Sequence, residues 1–308
     1  MTEKCLDIVI LNFPGALPSA VLGIHEILSH GLSASGAVFN IHTLSNECET
    51  GESIDCVIVP PSSDEVDKSK APWISGWLAQ QHKQGALICS VCVGLIWLLE
   101  SGIIQNRQVT THWAVANRLE EHPGVCLDVD RMLIEYPDLI TAGGLMAWVD
   151  LCLALINRFV GQEVAAATAR HFVVDFYRQN QRLYARFVPN LSHGDQSILR
   201  VQNMIASKFA TKIQNTELAD ISGMSMRSFL RRFKSTTGYT PLEYTQQVRI
   251  ESARNLLIHS QLSIGEIAFQ VGYADHSSFG RLFQKNGGES PKTFRERHRR
   301  SGLGNESG

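Results

Sequence analysis

The residues whose types and spacing best suit covalent chemistry lie in Gly85-Ala-Leu-Ile-Cys-Ser-Val-Cys92-Val-Gly94, an apolar run passing through a Cys-x-Gly turn into the helical stretch Leu95 to Ser101. A strand turning sharply into a helix presents one side chain at the top of a sheet, the layout of a nucleophile elbow. A thiol there sits beside a helix N-terminus, whose positive end favours thiolate and can hold an anionic or carbonyl oxygen. Attack by Cys92 would still require a neighbouring acid or base. Cys89 and Cys92 form a CxxC, but no second Cys or His pair stands at zinc-ligand spacing. These thiols are therefore expected to be buried apolar side chains, and no metal or other cofactor is expected.

A different chemistry is written in the last third. Glu217-Leu-Ala-Asp-Ile-Ser-Gly223 recurs 49 residues later as Glu266-Ile-Ala-Phe-Gln-Val-Gly272. Each copy leads through a short turn into a second helix, Phe229-Leu-Arg-Arg-Phe233 in one and Phe279-Gly-Arg-Leu-Phe283 in the other. Two helix-turn-helix units are implied. In the first, Phe229 and Phe233 face a core at i, i+4, leaving Arg227, Arg231 and Lys234 on a cationic outer stripe with Ser228 beside them. Such a stripe suits a major groove, where Arg pairs with guanine O6 and N7. Arg232 lies on the flank, where a phosphate contact or an intramolecular ion pair is expected as much as a base contact. In the second unit His276, Ser277, Gly280 and Arg281 look outward, and Gly280 allows close approach because it has no side chain to read a base.

The elements that must position these groups are legible from punctuation. Thr240-Pro-Leu-Glu243 and Ser263-Ile-Gly-Glu266 read as helix starts with capping boxes. A helix from Pro241 to about His259 would be roughly 27 Å long and would hold the two units rigidly apart. Half-sites one DNA turn apart, about 34 Å, would then be reachable on one face of a duplex. Earlier in the chain, Asp7 to Asn12, Val38 to Leu44, Cys56 to Val59 and Ala86 to Cys89 are mostly β-branched runs. They alternate with helical patterns at Ser19 to His30, Trp73 to Lys83 and Val93 to Ser101. This rhythm implies an α/β, doubly wound and mostly parallel sheet. Further helices are expected at Ala114 to Glu121, Met146 to Phe159 and Gln162 to Tyr177, with strands at Val125 to Asp128, Met132 to Tyr136 and Leu139 to Thr141.

Charge divides the 308 residues in the same way. The net charge of -2 conceals -9 over residues 1–195 and +8 over 196–300. A basic segment beside an acidic one fits a nucleic-acid-binding module joined to another domain. Hydrophobic residues at 44% and charged residues at 19% are those of an ordinary globular chain. The longest apolar run, Val91 to Leu99, is far short of a membrane span. The opening residues lack the apolar core of a secretory signal, so a cytoplasmic location and no membrane partner are expected. Seven scattered cysteines argue for reduced thiols.

Over most of residues 6–180 the chain resembles the PfpI-like, class I glutamine-amidotransferase-like superfamily, which implies a flavodoxin-like sheet. The matching residues are Phe13-Pro-Gly15, the elbow at Cys92, Ser101-Gly-Ile-Ile104, Arg107-Gln-Val-Thr-Thr-His-Trp113 and Thr141-Ala-Gly-Gly144 with Asp150. Catalytic relatives, such as isocyanide hydratases, place an Asp or Glu just after the first strand, a position occupied here by Ala20, and often Thr or His after the cysteine, where Val93 stands. The resemblance thus implies a vestigial elbow and no catalytic residue. Cys92, Val93, Gly94, His112 and Ala20 are expected to line a pocket for a small effector, while Glu26 is the one other acid considered for Cys92. His25, Glu26 and Asp150 otherwise read as a solvated helix face and a helix N-terminal acid.

From about Glu217 to Arg297 the chain resembles the AraC/XylS family of transcription regulators. The residues carrying this are Met224-Ser225-x-Arg227, Arg231-Arg-Phe233, Gly238-x-x-Pro241, Arg249, Ala253-Arg254-x-Leu256-Leu257, Ile267-Ala268, Val271-Gly-Tyr273, Ser278-Phe279-x-Arg281-x-Phe283 and Gly288-x-Ser290-Pro291. The two resemblances imply a sensing and dimerising domain over 1–183, a linker over 184–196, an all-α double helix-turn-helix domain over 197–300 and a disordered tail over 301–308. They imply a sequence-specific regulator of promoter DNA, acting as a homodimer under a small, nitrogen-containing effector. The competing expectations are a thiol-dependent hydrolase or hydratase using Cys92, with an autoregulatory DNA-binding module, and an architectural DNA binder whose first domain only dimerises.

Overall fold

Short β-branched runs leave their backbone groups unsatisfied until they pair, and in the first part of the chain they pair side by side in parallel. The computed structural model describes residues 5–46, 54–62, 66–119, 122, 124–176, 181, 184 and 186–300. It divides the chain into two units, Met1–Gln181 and Arg182–Gly308.

In the first unit β1 (Leu6–Leu11), α1 (Pro18–Ala34), β2 (Phe39–Leu44), β3 (Cys56–Val59), α2 (Ile74–Lys83), β4 (Leu87–Val91) and α3 (Leu95–Ser101) alternate. After β5 (Gln108–Val109), α4 (Ala116–Leu119) and β6 (Cys126–Leu127) come β7 (Leu133–Glu135), β8 (Leu139–Ala142), α5 (Trp148–Val160) and α6 (Gln162–His171). The main sheet has the order β2-β1-β3-β4-β8-β7, with β5 and β6 forming a separate parallel pair. Only β7 in the main sheet is antiparallel to its neighbour. Every residue of β3, β4 and β8 is buried, which is why they read as continuous apolar runs rather than alternating ones. The layer of α1, α5 and α6 packs together, as does that of α2 and α3. Register sets Cys89 beside Ile58 and Ser90 beside Thr141, so the carboxyl ends of β4 and β8 end side by side.

Several boundaries differ from the sequence reading. The expected helix Gln162 to Tyr177 stops at His171, because Val173 takes a left-handed φ of 54° and the Val174 N–H closes back on the Ala169 carbonyl. α3 starts at Leu95, after a 3-10 turn over Cys92–Gly94, and α5 starts at Trp148. Of the Ala114 to Glu121 helix only Ala116–Leu119 is seen, residues 120 and 121 lying outside the described residues. Tyr177 and the tail 301–308 also lie outside them.

The second unit is helical: α7 (Gln196–Lys208), α8 (Asn215–Ser222), α9 (Met226–Thr237), α10 (Pro241–His259), α11 (Ile264–Gln270), α12 (His276–Gly287) and α13 (Pro291–Arg300). Side-chain caps start most of them. Asp195 caps α7, Ser225 caps α9, Asp275 caps α12, and complete capping boxes open α10 at Thr240 with Glu243 and α11 at Ser263 with Glu266. Upstream of α7, Phe187 meets Tyr239 and Tyr244 edge-on, and its N–H donates to Glu251.

This unit has two cores. One gathers Phe229, Phe233 and Tyr244 with residues of α7 and α8, the other Phe279, Phe283 and Phe294 with α11. The 19-residue α10 enters both, through Tyr244 and Val248 on one side and Ile250, Ala253 and Leu257 on the other. Arg249, at the changeover, donates to the carbonyls of Phe209 (2.7 Å), Thr211 (2.9 Å) and Gly272 (3.1 Å) and lies over the Tyr273 ring. The first two acceptors precede α8 and the third lies in the turn after α11. Lys in this place would keep the charge but lose the planar fork that serves three acceptors. Arg249→Lys is therefore expected to lower the stability of the second unit by about 2–3 kcal/mol in urea unfolding followed by helical circular dichroism, whereas a change under about 0.5 kcal/mol would show that the clamp is dispensable.

Candidate functional site: the elbow turn and two recognition helices

At the end of β4 the chain turns so sharply that Cys92 adopts φ 56°, a left-handed conformation that a non-glycine residue takes only when its surroundings impose it. The turn is tight because Gly94 lies against the preceding strand crossing, where a Cβ would meet the Pro60 carbonyl oxygen at 2.8 Å. Thr111 closes it from the other side, its hydroxyl donating to the Cys92 carbonyl at 2.7 Å. This is the backbone of a nucleophile elbow.

Its electrostatics are not those of a nucleophile. Burial pushes the Cys92 thiol up to about 11, and the backbone hydrogen bonds of Val93 and His112 pull downward without offsetting it. Near neutral pH the sulfur therefore carries its proton. Burial also lowers the His112 imidazole below its ordinary value, keeping it neutral; its Nδ1 accepts from the Ala114 N–H, and its ring lies beside Trp113. Val93 is half-buried and apolar, and Ala20 is fully buried near the start of α1. Glu26 stands exposed on the outer side of α1, while Ile24 and Ile27 face the core. Asp150 is buried in the first turn of α5.

The structure thus brings Cys92, Val93, Gly94 and His112 together around one turn, and reveals two residues that were not singled out. Thr111 stood inside the quoted Arg107 to Trp113 motif without a role. Gln181, whose Nε2 donates to the Thr111 carbonyl at 2.7 Å, had no signal at all, being 70 residues away in sequence. The buried thiols of Cys56 and Cys89 are 3.9 Å apart, and burial raises Cys89 and Cys152 well above the ordinary thiol value, as for apolar core side chains. Among the described residues no group of three or more His, Cys, Asp or Glu could hold a metal ion.

In the second unit the two candidate recognition helices each stand on an aromatic pair. Phe229 and Phe233 of α9, and Phe279 and Phe283 of α12, are fully buried. The opposite faces are open: Arg227, Arg231 and Lys234 on α9, and His276, Ser277 and Arg281 on α12, are all exposed. Among the described residues Arg227, Arg231 and Lys234 form no ion pair, and the Glu243 carboxyl, held low chiefly by its hydrogen bonds with Thr240, is lowered further by the charge of Lys234. Ser228 is half-buried at the first turn of α9, its N–H held by the Ser225 hydroxyl. For Arg232 the structure shows the intramolecular ion pair, one of the expected alternatives. Its Nε donates to the Asp195 carboxylate at 2.6 Å, so this guanidinium braces the start of α7. On α12, hydrogen bonds from the Ser278 side chain and the Ser277 and Ser278 N–H groups hold the capping Asp275 down at about 2. The Arg281 guanidinium donates to Ser278 at 3.2 Å. A Cβ at Gly280 would meet nothing within 4 Å, leaving open surface at this point of the helix.

Comparison with known proteins finds a match to the DJ-1/PfpI family over residues 30–158 and to a helix-turn-helix domain family over residues 218–297. The HTH-type transcriptional regulator GlxA of Rhizobium meliloti (strain 1021) is 27% identical, over 87% of this chain and 82% of its own length. The HTH-type transcriptional regulator ArgR of Pseudomonas aeruginosa is 24% identical, over 77% of this chain and 72% of its own. A crystal structure of a Vibrio parahaemolyticus protein superposes with a TM-score of 0.50 at 15% identity, covering 55% of this chain and 99% of that one, a likeness of fold alone.

The elbow sulfur provides a direct check. Alkylation of Cys92 by iodoacetamide, followed by peptide mass spectrometry, is expected to rise with pH to a midpoint near 11, with exposed Cys126 reacting far faster at pH 8. A Cys92 midpoint below 8 would mean an activated thiolate.

Proposed function

Because the chain belongs to the AraC-type transcription regulators that carry an N-terminal DJ-1/PfpI domain, we propose that it acts in the cytoplasm as a homodimer, reading promoter DNA with its second unit and sensing a small metabolite with its first. DNA binding is the part carried by one observation above all. Two copies of a helix-turn-helix stand on separate aromatic cores, are joined by one continuous helix, and present exposed basic residues Arg227, Arg231, Lys234 and Arg281. Phosphates and guanine edges are the partners such a surface suits. Half-site spacing would follow from the rigidity of α10.

For the first unit we propose a non-catalytic role. A protonated, buried thiol, a neutral His112 and the absence of an acid at Ala20 support a binding site over a reaction site. Cys92, Val93, Gly94, His112 and Ala20 are the residues proposed to line it, and a nitrogen-containing metabolite is the effector class proposed. Its binding would shift the arrangement of paired DNA-binding units, a coupling of about 1–3 kcal/mol in other allosteric proteins. No described helix is long and apolar enough to cross a membrane.

Genome-wide occupancy of the full-length protein, followed by salt-controlled binding to the strongest site, tests this reading. Discrete sites sharing a sequence motif are expected; diffuse, salt-sensitive binding without a motif would overturn sequence-specific control. Arg231→Ala is expected to cost about 1–3 kcal/mol at the strongest site and to relax specificity at one base position. An equal loss on all sequences would reassign Arg231 to a phosphate. Cys92→Ser is expected to leave ligand-free DNA binding unchanged.

A further inference from the structure

Just ahead of α7 the chain is held by hydrogen bonds whose directions are fixed at both ends by the backbone. The Asp195 N–H donates to His193 Nδ1 at 3.0 Å, so that ring nitrogen is an acceptor and carries no proton. Gln202, on α7 and 2% exposed, donates from Nε2 to the Asn190 carbonyl and to the Tyr244 hydroxyl, each at 3.1 Å. Its Oε1 therefore faces the half-buried imidazole, 2.9 Å from His193 Nε2, and must accept a proton from it. A backbone N–H and a backbone carbonyl thus select one form of His193, the neutral ring protonated on Nε2.

Gly194 makes the fold-back possible, its φ of 77° turning the Asp195 N–H onto the residue two before it. A turn of the same kind precedes it, where the Ser192 N–H meets Asn190 Oδ1 at 3.0 Å. What the two turns place is the Asp195 carboxylate. One oxygen takes the Ser197 and Ile198 N–H groups at the start of α7, at 3.1 and 3.3 Å, and the other takes Arg232 Nε from α9 at 2.6 Å. A continuous line of contacts therefore runs from Tyr244 in the first aromatic core through Gln202, His193 and Asp195 to the recognition helix. Arg232 stands between exposed Arg231 and buried Phe233, so the brace acts on the turn of α9 that presents Arg231.

We propose that His193, as the neutral Nε2–H imidazole, is a positioning residue for DNA reading by α9, acting through Asp195 and Arg232, a role that rests on the sequence-specific regulator proposed above. A proton added at Nδ1 sets two N–H donors against each other and pushes Asp195 off the ring. The Asp195 carboxylate has both oxygens engaged and offers no alternative acceptor. The other titratable or charged groups of the network are Arg232 on α9 and Tyr244 on α10, and α7 contributes only the neutral Gln202. The brace is therefore present while His193 is neutral and is lost as pH falls, loosening α9 at the half-site it reads.

Two readouts on the full-length chain test this. In long-range proton–nitrogen NMR of the imidazoles, His193, assigned by the loss of its signals in His193→Asn, is expected to be the Nε2–H form. An Nδ1–H form would overturn the proposal. Affinity for the strongest genomic site is then followed at fixed salt from about pH 8 to about pH 6, the span in which imidazoles change charge. His193→Asn keeps an acceptor for the Asp195 N–H but cannot be protonated. Its affinity is expected to change less than about twofold across a range in which the wild type falls about fivefold. His193→Leu removes both ring contacts and is expected to bind about fivefold more weakly at pH 8, relaxing the base positions that Arg231→Ala relaxes and not those that Arg281→Ala relaxes. Arg232→Gln breaks the brace from the helix side and should relax the same positions, so the outcome does not hang on one variant folding. Identical pH profiles for wild type and His193→Asn would overturn the proposal alone, as would relaxation spread evenly over both half-sites. A wild-type chain without sequence preference at pH 8 would overturn it together with the regulator reading.

Discussion

The geometry of the DNA-binding unit depends on one guanidinium. Arg249 projects from the middle of α10 to three backbone carbonyls, two before α8 and one in the turn after α11. Each helix-turn-helix is thereby fastened to the same side chain on the same helix. The attachment matters because the two aromatic cores are separate. Without a shared element they could reorient independently. A planar, permanently charged group with donors on several edges is the side chain that can serve three acceptors at once.

The elbow shows the opposite relation between geometry and chemistry. The strained φ of Cys92, the close approach at Gly94 and the bond from Thr111 preserve the shape of a reactive turn. The charge state needed for reaction is lost, since burial holds the thiol protonated and His112 neutral. A backbone turn of this kind is sustained by surrounding packing, whereas activation of the sulfur depends on one or two polar neighbours. Here Ala20 and Val93 offer the sulfur no polar side chain, and the sheet beneath the turn is complete.

Coupling within the first unit is equally local. Cys92, Thr111 and Gln181 are joined by single hydrogen bonds.

The sequence by itself determined the features set by local periodicity and local hydrogen bonding. The β-branched runs at Cys56 to Val59 and Leu139 to Thr141 had to be buried strands, and the 49-residue repeat required two matching helix pairs. The capping residues of α10 and α11 placed their starts, and α10 runs to His259 as its pattern implies. What tertiary structure alone decided involves partners distant in the chain. Arg232 pairs with Asp195 across 37 positions, and Arg249 finds acceptors 23 to 40 positions away. Gln181 reaches Thr111 across 70. The state of the Cys92 thiol follows the same rule, because desolvation depends on every element packed around it and no short stretch of sequence contains that information.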